Sequence, residues 1–266
     1  MILSRIYANI KFKMRVVGVI PARLKSERFP EKPLKKICGY PMIEWVYKRA
    51  KLCNEIDEVV VATDDLKIFN CVKSFGGNVV MTSSECPSGT DRVGEVAKKI
   101  NCDVVINIQG DEPLVDPHSL RKLVLLFSEN EDLKMATLIT KIDKKKELNN
   151  KNVVKVVVDK ENYALYFSRS KIPFLRNLEF RDFTFYKHIG IYGYNREFLL
   201  KFLSMKKGVL EEAESLEQLR AIENGTRIKC AIVEKWNGVS VDVPSDVEKV
   251  EKEIKKGRIF LPTLTV

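Results

Sequence analysis

The sequence contains no apolar run approaching the roughly twenty residues that a membrane-spanning helix needs. It has no C-x-x-C pair either. Its six cysteines, Cys38, Cys53, Cys71, Cys86, Cys102 and Cys230, are scattered and have no histidine partner at zinc spacing. They read as reduced thiols of a cytoplasmic protein, not as a disulfide framework or a metal finger. Neither G-x-x-x-x-G-K-[ST] nor G-x-G-x-x-G occurs, which removes the main support for a Walker-type ATPase or a dinucleotide-binding protein. There is no internal repeat and no low-complexity linker. The opening segment MILSRIYANIKFK is broken by Arg5 and Lys11, and no small-residue cleavage site follows, so it is not a secretory leader. Residues 1–13 are expected to form an N-terminal extension.

What is present fits a folded chain with one substantial core: 266 residues, 45% apolar and 31% charged. The formal net charge of +10 admits nucleic acid, anionic lipid or a small polyanion as partner. The basic residues are spread along the chain with no basic tail and no basic–aromatic interleaving, a pattern of solvated faces and not of nucleic-acid binding.

Arg15 to Ile20 is a nearly continuous apolar run suited to a strand buried on both faces. A helix is expected from Pro41 through Ala50, a strand over Val59–Ala62, and a helix from Leu66 to Phe75 closed by Gly76 and Gly77. Next come a strand over Val79–Met81, a helix from Asp91 to Ile100 and a strand over Val104–Ile108. This alternation specifies an α/β fold with a doubly wound, mostly parallel sheet that binds ligands at the carboxyl ends of its strands. Past residue 140 the rhythm changes to strand-like runs at Val153–Val158, Tyr163–Phe167 and Thr184–Tyr194, followed by helices near 195–204 and 213–224. Strands are expected at Ile228–Val233 and Val239–Val243, with a final helix from Pro244. The expected organisation is a nucleotide-binding core over 14–140, an inserted β-containing sugar-binding and dimerisation region over 141–210, and a return to the core with a C-terminal helix over 211–266.

The loop after the first strand gathers Arg23, Lys25, Arg28 and Lys32 where such a fold binds phosphate. After the fourth strand, Gly110 permits a tight turn, and Asp111 offers a hard oxygen ligand of the kind Mg²⁺ takes beside phosphate oxygens and water. Asp242 lies between two apolar residues; by itself it reads better as an ion pair or helix cap than as a metal ligand. Ser88-Gly89-Thr90-Asp91-Arg92 precedes a helix, and its hydroxyls suit either a helix cap or contact with a base or ribose.

Taken together, IPARLKSERFPEKPL, GYPMIEWV, VVATDD, GGNVVMTS, SGTDRV, VINIQGDEP, KVVVDKENYALYFSRSKIP, KHIGIYGY, LEQLR and VDVPSDVEKV resemble the 3-deoxy-D-manno-octulosonate (Kdo) cytidylyltransferases, or CMP-Kdo synthetases, over about residues 15–250. The resemblance implies a Mg²⁺-dependent, homodimeric, cytoplasmic enzyme of lipopolysaccharide biosynthesis that moves CMP from CTP to Kdo, with a nucleotide-diphospho-sugar transferase-like fold. It implies that Arg23, Arg28 and Lys32 meet the CTP phosphates, that Ser88, Gly89, Arg92 and Gln109 surround the nucleotide or the sugar, and that Asp111 and Asp242 hold the metal. Arg169, His188, Tyr192, Glu217 and Gln218 match its sugar-binding positions. One departure is Cys86, where the family usually has histidine. The alternatives are a cytidylyltransferase for another acidic sugar, such as sialic acid or amino-Kdo, and a basic nucleotide-binding protein without catalysis.

Overall fold

The computed structural model of the chain describes residues 14–25, 29–236, 238–257, 259 and 261. Strand β1 (Val16–Ala22) takes up the first apolar run. Its side chains alternate between the two faces of the sheet: Val16, Ile20 and Ala22 enter one core, Val17 and Val19 the other. Each fully buried Val or Ile contributes about 1.5–3 kcal/mol.

A small hairpin, β2 (Lys36–Ile37) and β3 (Tyr40–Pro41), leads into helix α1 (Met42–Ala50). The β/α rhythm continues through β4 (Glu58–Thr63), α2 (Leu66–Ser74), β5 (Asn78–Met81), α3 (Gly89–Lys99) and β6 (Val104–Asn107). The Asp65 carboxylate accepts from the Lys67 and Ile68 N–H groups and starts α2, and Gly76, at φ +77°, follows its end. Helix α3 starts two residues before the expected Asp91 because Ser88 is its cap.

Beyond β6 lie α4 (Pro117–Glu129) and β7 (Met135–Lys141), to which the sequence reading assigned nothing, and the short α5 (Lys145–Leu148). Then come β8 (Lys155–Val158), β9 (Ala164–Ser168), β10 (Tyr186–Asn195) and α6 (Arg196–Leu203). The chain finishes with α7 (Val209–Glu214), α8 (Leu219–Glu223), β11 (Ile228–Val233) and α9 (Pro244–Gly257).

Two expectations need correcting. The helix over 213–224 is two short helices, because Ser215 adopts a left-handed backbone at φ +50°, which a right-handed helix does not pass through. Val239–Val243 is not a strand but an irregular arm. Its N–H groups donate to a turn carbonyl, from Val241 to Asp111, and to the Asp246 carboxylate, from Asp242 and Val243, so no strand ladder forms.

The sheet order is β11-β7-β10-β6-β1-β4-β5. All neighbours pair in parallel except β10, which is antiparallel to both β6 and β7. Helices α1, α2 and α4 pack on one face, and α3, α6 and α8 on the other, giving the doubly wound, mostly parallel architecture that the alternation predicts. The 141–210 segment places β10 in the middle of this sheet, with β8 and β9 extending outward from the start of β10. Tyr192 pairs with Asn107. The antiparallel direction therefore carries the residues before Tyr192, His188 among them, past the carboxyl end of β6. No helix among the described residues is long and apolar enough to cross a membrane.

Candidate active site

Because β1, β4, β5 and β6 are parallel, the loops that follow them leave the sheet at one edge. A cavity of about 1180 Å³ opens there, with Arg23, Lys25, Lys32, Arg92, Asp111 and Asp242 in its lining. A second cavity, of about 750 Å³, adjoins it and is lined in part by Thr90, Glu211, Glu217 and Arg220. Pro87, Ser88, Gly89 and Gln109 line both and form the wall between them. Glycine at 110 is required by close approach: a Cβ there would stand 2.8 Å from the Pro21 carbonyl oxygen. The 109–111 turn can thus lie against the end of β1, bringing Asp111 beside the basic loop.

Lys32 opens the 3₁₀ turn Lys32–Leu34, and its Nζ donates to Asp111 Oδ2 at 2.8 Å and to the Val241 carbonyl at 2.9 Å. One ammonium therefore joins the two chain segments that carry Asp111 and Asp242. Next to them Glu112 is only 8% exposed; its Oε1 accepts from the Ser240 hydroxyl and its Oε2 is buried with no partner. Burial, reinforced by Asp111 and Asp242 against the Ser240 hydrogen bond and Lys32, pushes the Glu112 carboxyl up to about 7. The Lys32 ammonium already seated on Asp111 shows that this corner of the cavity accepts a cation, which fits a divalent ion held by Asp111 and Asp242. Among the described residues no group of three or more His, Cys, Asp or Glu side chains could hold a metal. A carboxylate pair is nevertheless what Mg²⁺ uses when phosphate and water supply its other ligands.

Of the alternatives read for the Ser88 turn, the structure shows the helix cap. The Ser88 Oγ accepts from the Asp91 N–H as the cap of α3, and the residue lines both cavities. In the second cavity Thr90 Oγ1 donates to Glu217 Oε2 at 2.5 Å, and Ser88 Oγ stands 3.3 Å from Glu217 Oε1. Burial raises the Glu217 carboxyl, opposed by the Thr90 hydrogen bond and the Arg220 charge.

The other expected residues lie as follows. Arg23 is exposed on the first cavity. Arg28 lies outside the described residues. Arg92 lines the first cavity but is 4% exposed, with its guanidinium on Thr82 Oγ1, the Ser83 carbonyl and, at 3.4 Å, Asp64. Arg169, His188, Tyr192 and Gln218 line neither cavity. The Arg169 guanidinium donates to the carbonyls of Glu214 and Ser215, where α7 ends, and of Lys151, between α5 and β8. His188 Nε2 is 3.0 Å from Thr137 Oγ1, and its ring lies between Phe167 and Tyr192 at centroid distances of 5.2 Å each. Burial holds the His188 imidazole down at about 3. Gln218 is 4% exposed and its Nε2 has no partner. Sequence reasoning assigned no role to Glu112, Glu211 or Arg220, and read Thr90 only as part of a helix cap or a base or ribose contact. The only signal for Glu112 was an acid directly beside the expected ligand Asp111, in a turn stopped by Pro113.

A family model described as cytidylyltransferase matches residues 17–228. The chain belongs to the cytidylyltransferase family. As a cytidylyltransferase it is a nucleotidyltransferase. A Fusobacterium nucleatum subsp. nucleatum protein named 3-deoxy-manno-octulosonate cytidylyltransferase is 49% identical over 248 residues, 92% of this chain and 99% of that one. A Shewanella baltica protein named 8-amino-3,8-dideoxy-manno-octulosonate cytidylyltransferase is 47% identical over 245 residues, 91% of this cytidylyltransferase and 99% of its relative. A solved structure of CMP:2-keto-3-deoxy-manno-octonic acid synthetase complexed with CTP matches with a TM-score of 0.87 at 41% identity, covering 91% of this chain and 99% of that one.

Proposed function

We propose that this cytidylyltransferase moves CMP from CTP to the anomeric hydroxyl of Kdo, releasing pyrophosphate, on the way to lipopolysaccharide. The observation that carries this reading is the pair of adjoining cavities. One has basic residues with Asp111 and Asp242 in a volume that accommodates a nucleoside triphosphate; the other has the hydroxyls and carboxylates that suit a polyhydroxylated sugar. The CTP named with the matching solved structure and the sugar named for the Fusobacterium relative fit those cavities in that order.

In this mechanism the sugar hydroxyl attacks the α-phosphorus in line. The new O–P bond forms as the bond to the pyrophosphate oxygen breaks, and the hydroxyl proton is lost. Asp111 and Asp242 would hold Mg²⁺, which would supply charge neutralisation at the phosphates. Arg23, Arg28 and Lys32 would hold the β- and γ-phosphates and stabilise the leaving pyrophosphate, so positioning and electrostatics replace a protein nucleophile. Ser88, Gly89 and Gln109, in the shared wall, stand where a group passing from one cavity to the other must cross. Glu217 would orient sugar hydroxyls. On the family resemblance alone, Arg169, His188, Tyr192 and Gln218 would complete the sugar contacts. A homodimer is supported by Leu165, Phe174 and Leu178, apolar side chains 59%, 84% and 53% exposed on β9 and the segment after it. The six free cysteines support a reducing, cytoplasmic setting.

The test is pyrophosphate release from CTP and Mg²⁺ with Kdo, its 8-amino-8-deoxy analogue or sialic acid, beside the other nucleoside triphosphates. Release that requires both CTP and Kdo is expected. Faster release with the amino sugar would keep the chemistry and change the substrate. No release with any pair, together with salt-sensitive binding to oligonucleotides, would establish the non-catalytic reading instead.

A further inference from the structure

We infer that Glu112 is a positioning residue: through Ser240 it fixes the 239–243 arm so that Asp242 arrives beside Asp111. This rests on the reading of Asp111 and Asp242 as the metal-holding pair.

The arm itself belongs to no strand or helix, and its far end is tied to the first turn of α9, where the Asp246 carboxylate accepts from the Asp242 and Val243 N–H groups. Ahead of that tie, three side chains and one backbone bond hold it. Val241 is fully buried in a cluster with Phe29, Met42, Trp45 and Leu114, and its N–H donates to the Asp111 carbonyl at 2.9 Å. Lys32 donates to the Val241 carbonyl and to Asp111. Ser240 donates to Glu112 Oε1. Lys32 is also placed to meet phosphate, so its hold on the arm is shared with substrate. Neither Ser240 nor Glu112 lines either cavity, so their bond is not shared with substrate. A buried carboxyl with one hydroxyl partner and an orphaned second oxygen is destabilising on its own. An apolar or amide residue would fold better. The acid therefore makes sense as an acceptor that aligns the arm, in the way that residues behind a metal ligand fix its orientation.

Four variants test this: Ser240→Ala, Glu112→Ala, Glu112→Gln, which keeps an acceptor for Ser240, and Asp111→Asn as a control. The readout is binding of Mn²⁺ alone, followed by the loss of its free-ion electron paramagnetic resonance signal, with thermal melting to establish that each variant is folded. Ser240→Ala and Glu112→Ala are expected to weaken Mn²⁺ binding by about 10–100-fold, as loss of a residue that orients a metal ligand does. Glu112→Gln should stay close to the parent. Folded Ser240→Ala and Glu112→Ala with parental Mn²⁺ affinity, while Asp111→Asn loses it, would overturn the role of Glu112 and leave the metal site standing. Parental affinity in Asp111→Asn would overturn the metal-holding pair and this inference with it.

Discussion

The ammonium of Lys32 lies 2.8 Å from Asp111 Oδ2, joining a basic loop residue to the carboxylate assigned to the metal across 79 positions of sequence. Both side chains are partly exposed, at 17% and 30%, so their mutual attraction is modest. The pair holds opposite charges ready for a divalent cation and a triphosphate, which are themselves oppositely charged. Lys32→Ala should raise the CTP concentration needed for half-saturation by about tenfold or more, since a hydrogen bond to a charged group contributes about 1.5–3 kcal/mol. Steady-state assays with CTP varied at fixed Mg²⁺ and sugar check this; unchanged CTP saturation would remove Lys32 from phosphate binding.

Asp111→Asn and Asp242→Asn should each reduce turnover by about two orders of magnitude or more, the scale of several kcal/mol of lost charge stabilisation. Circular dichroism should be unchanged, because neither side chain is part of the apolar clusters. Full activity in either folded variant would remove it from the metal-holding pair.

Glu217→Gln should act on the sugar and not on the nucleotide. Its two oxygens meet Ser88 and Thr90 in the second cavity, and the residue does not line the first. A rise of about tenfold in the half-saturating sugar concentration is expected, with CTP saturation nearly unchanged. An effect confined to CTP would reverse the assignment of the two cavities.

The fold was legible where one segment decides its own structure. The apolar runs of β1, β4, β6 and β11 and the glycine after α2 state their roles within a few residues, and the structure keeps them. The place of β10 between β6 and β7 was not legible, because strand order depends on contacts between distant segments, and an antiparallel strand at mid-sheet has no local mark. In the site, Asp111 was readable from the glycine turn that carries it. The resemblance supplied Asp242, because an irregular arm has no periodicity to read. The sequence gives no sign that the Arg169 guanidinium meets three main-chain carbonyls or that Arg92 is buried on Thr82 and Asp64, since an arginine bound to carbonyls and one bound to a substrate are spelled alike.

His188 should remain neutral between pH 8 and 5 in the folded protein. The unfolded ring has a value near 6.5 and burial depresses it to about 3 in the folded chain. Between these limits the unfolded chain binds a proton that the folded chain does not, so stability is full above about 6.5 and falls with decreasing pH by up to about 1.4 kcal/mol per unit. With two histidines in the chain, the ring signals in NMR are few enough to assign. The His188 signal should not move between pH 8 and 5. A midpoint near 6.5 would show that the ring is open to solvent and free of the packing by Phe167 and Tyr192.

Ser215, at φ +50° and ψ +51°, occupies a conformation that L-residues adopt at a disadvantage of about 1–2 kcal/mol. Ser215→Gly should therefore melt higher than Ser215→Ala, by about 2–4 °C for each kcal/mol regained in a chain of this size. Equal melting temperatures would mean that the turn relaxes out of the left-handed region.

The Lys32–Val241 contact spans 209 positions of sequence. While the protein is being synthesised, the first strands of the sheet can pair long before the arm that bears Asp242 leaves the ribosome. A chain truncated just ahead of that arm would therefore carry the basic loop and Asp111 but only half of its carboxylate pair. With Asp111 and Asp242 as the proposed metal-holding pair, assembly of that pair would be tied to near-completion of the polypeptide, and a prematurely terminated product would lack half of it.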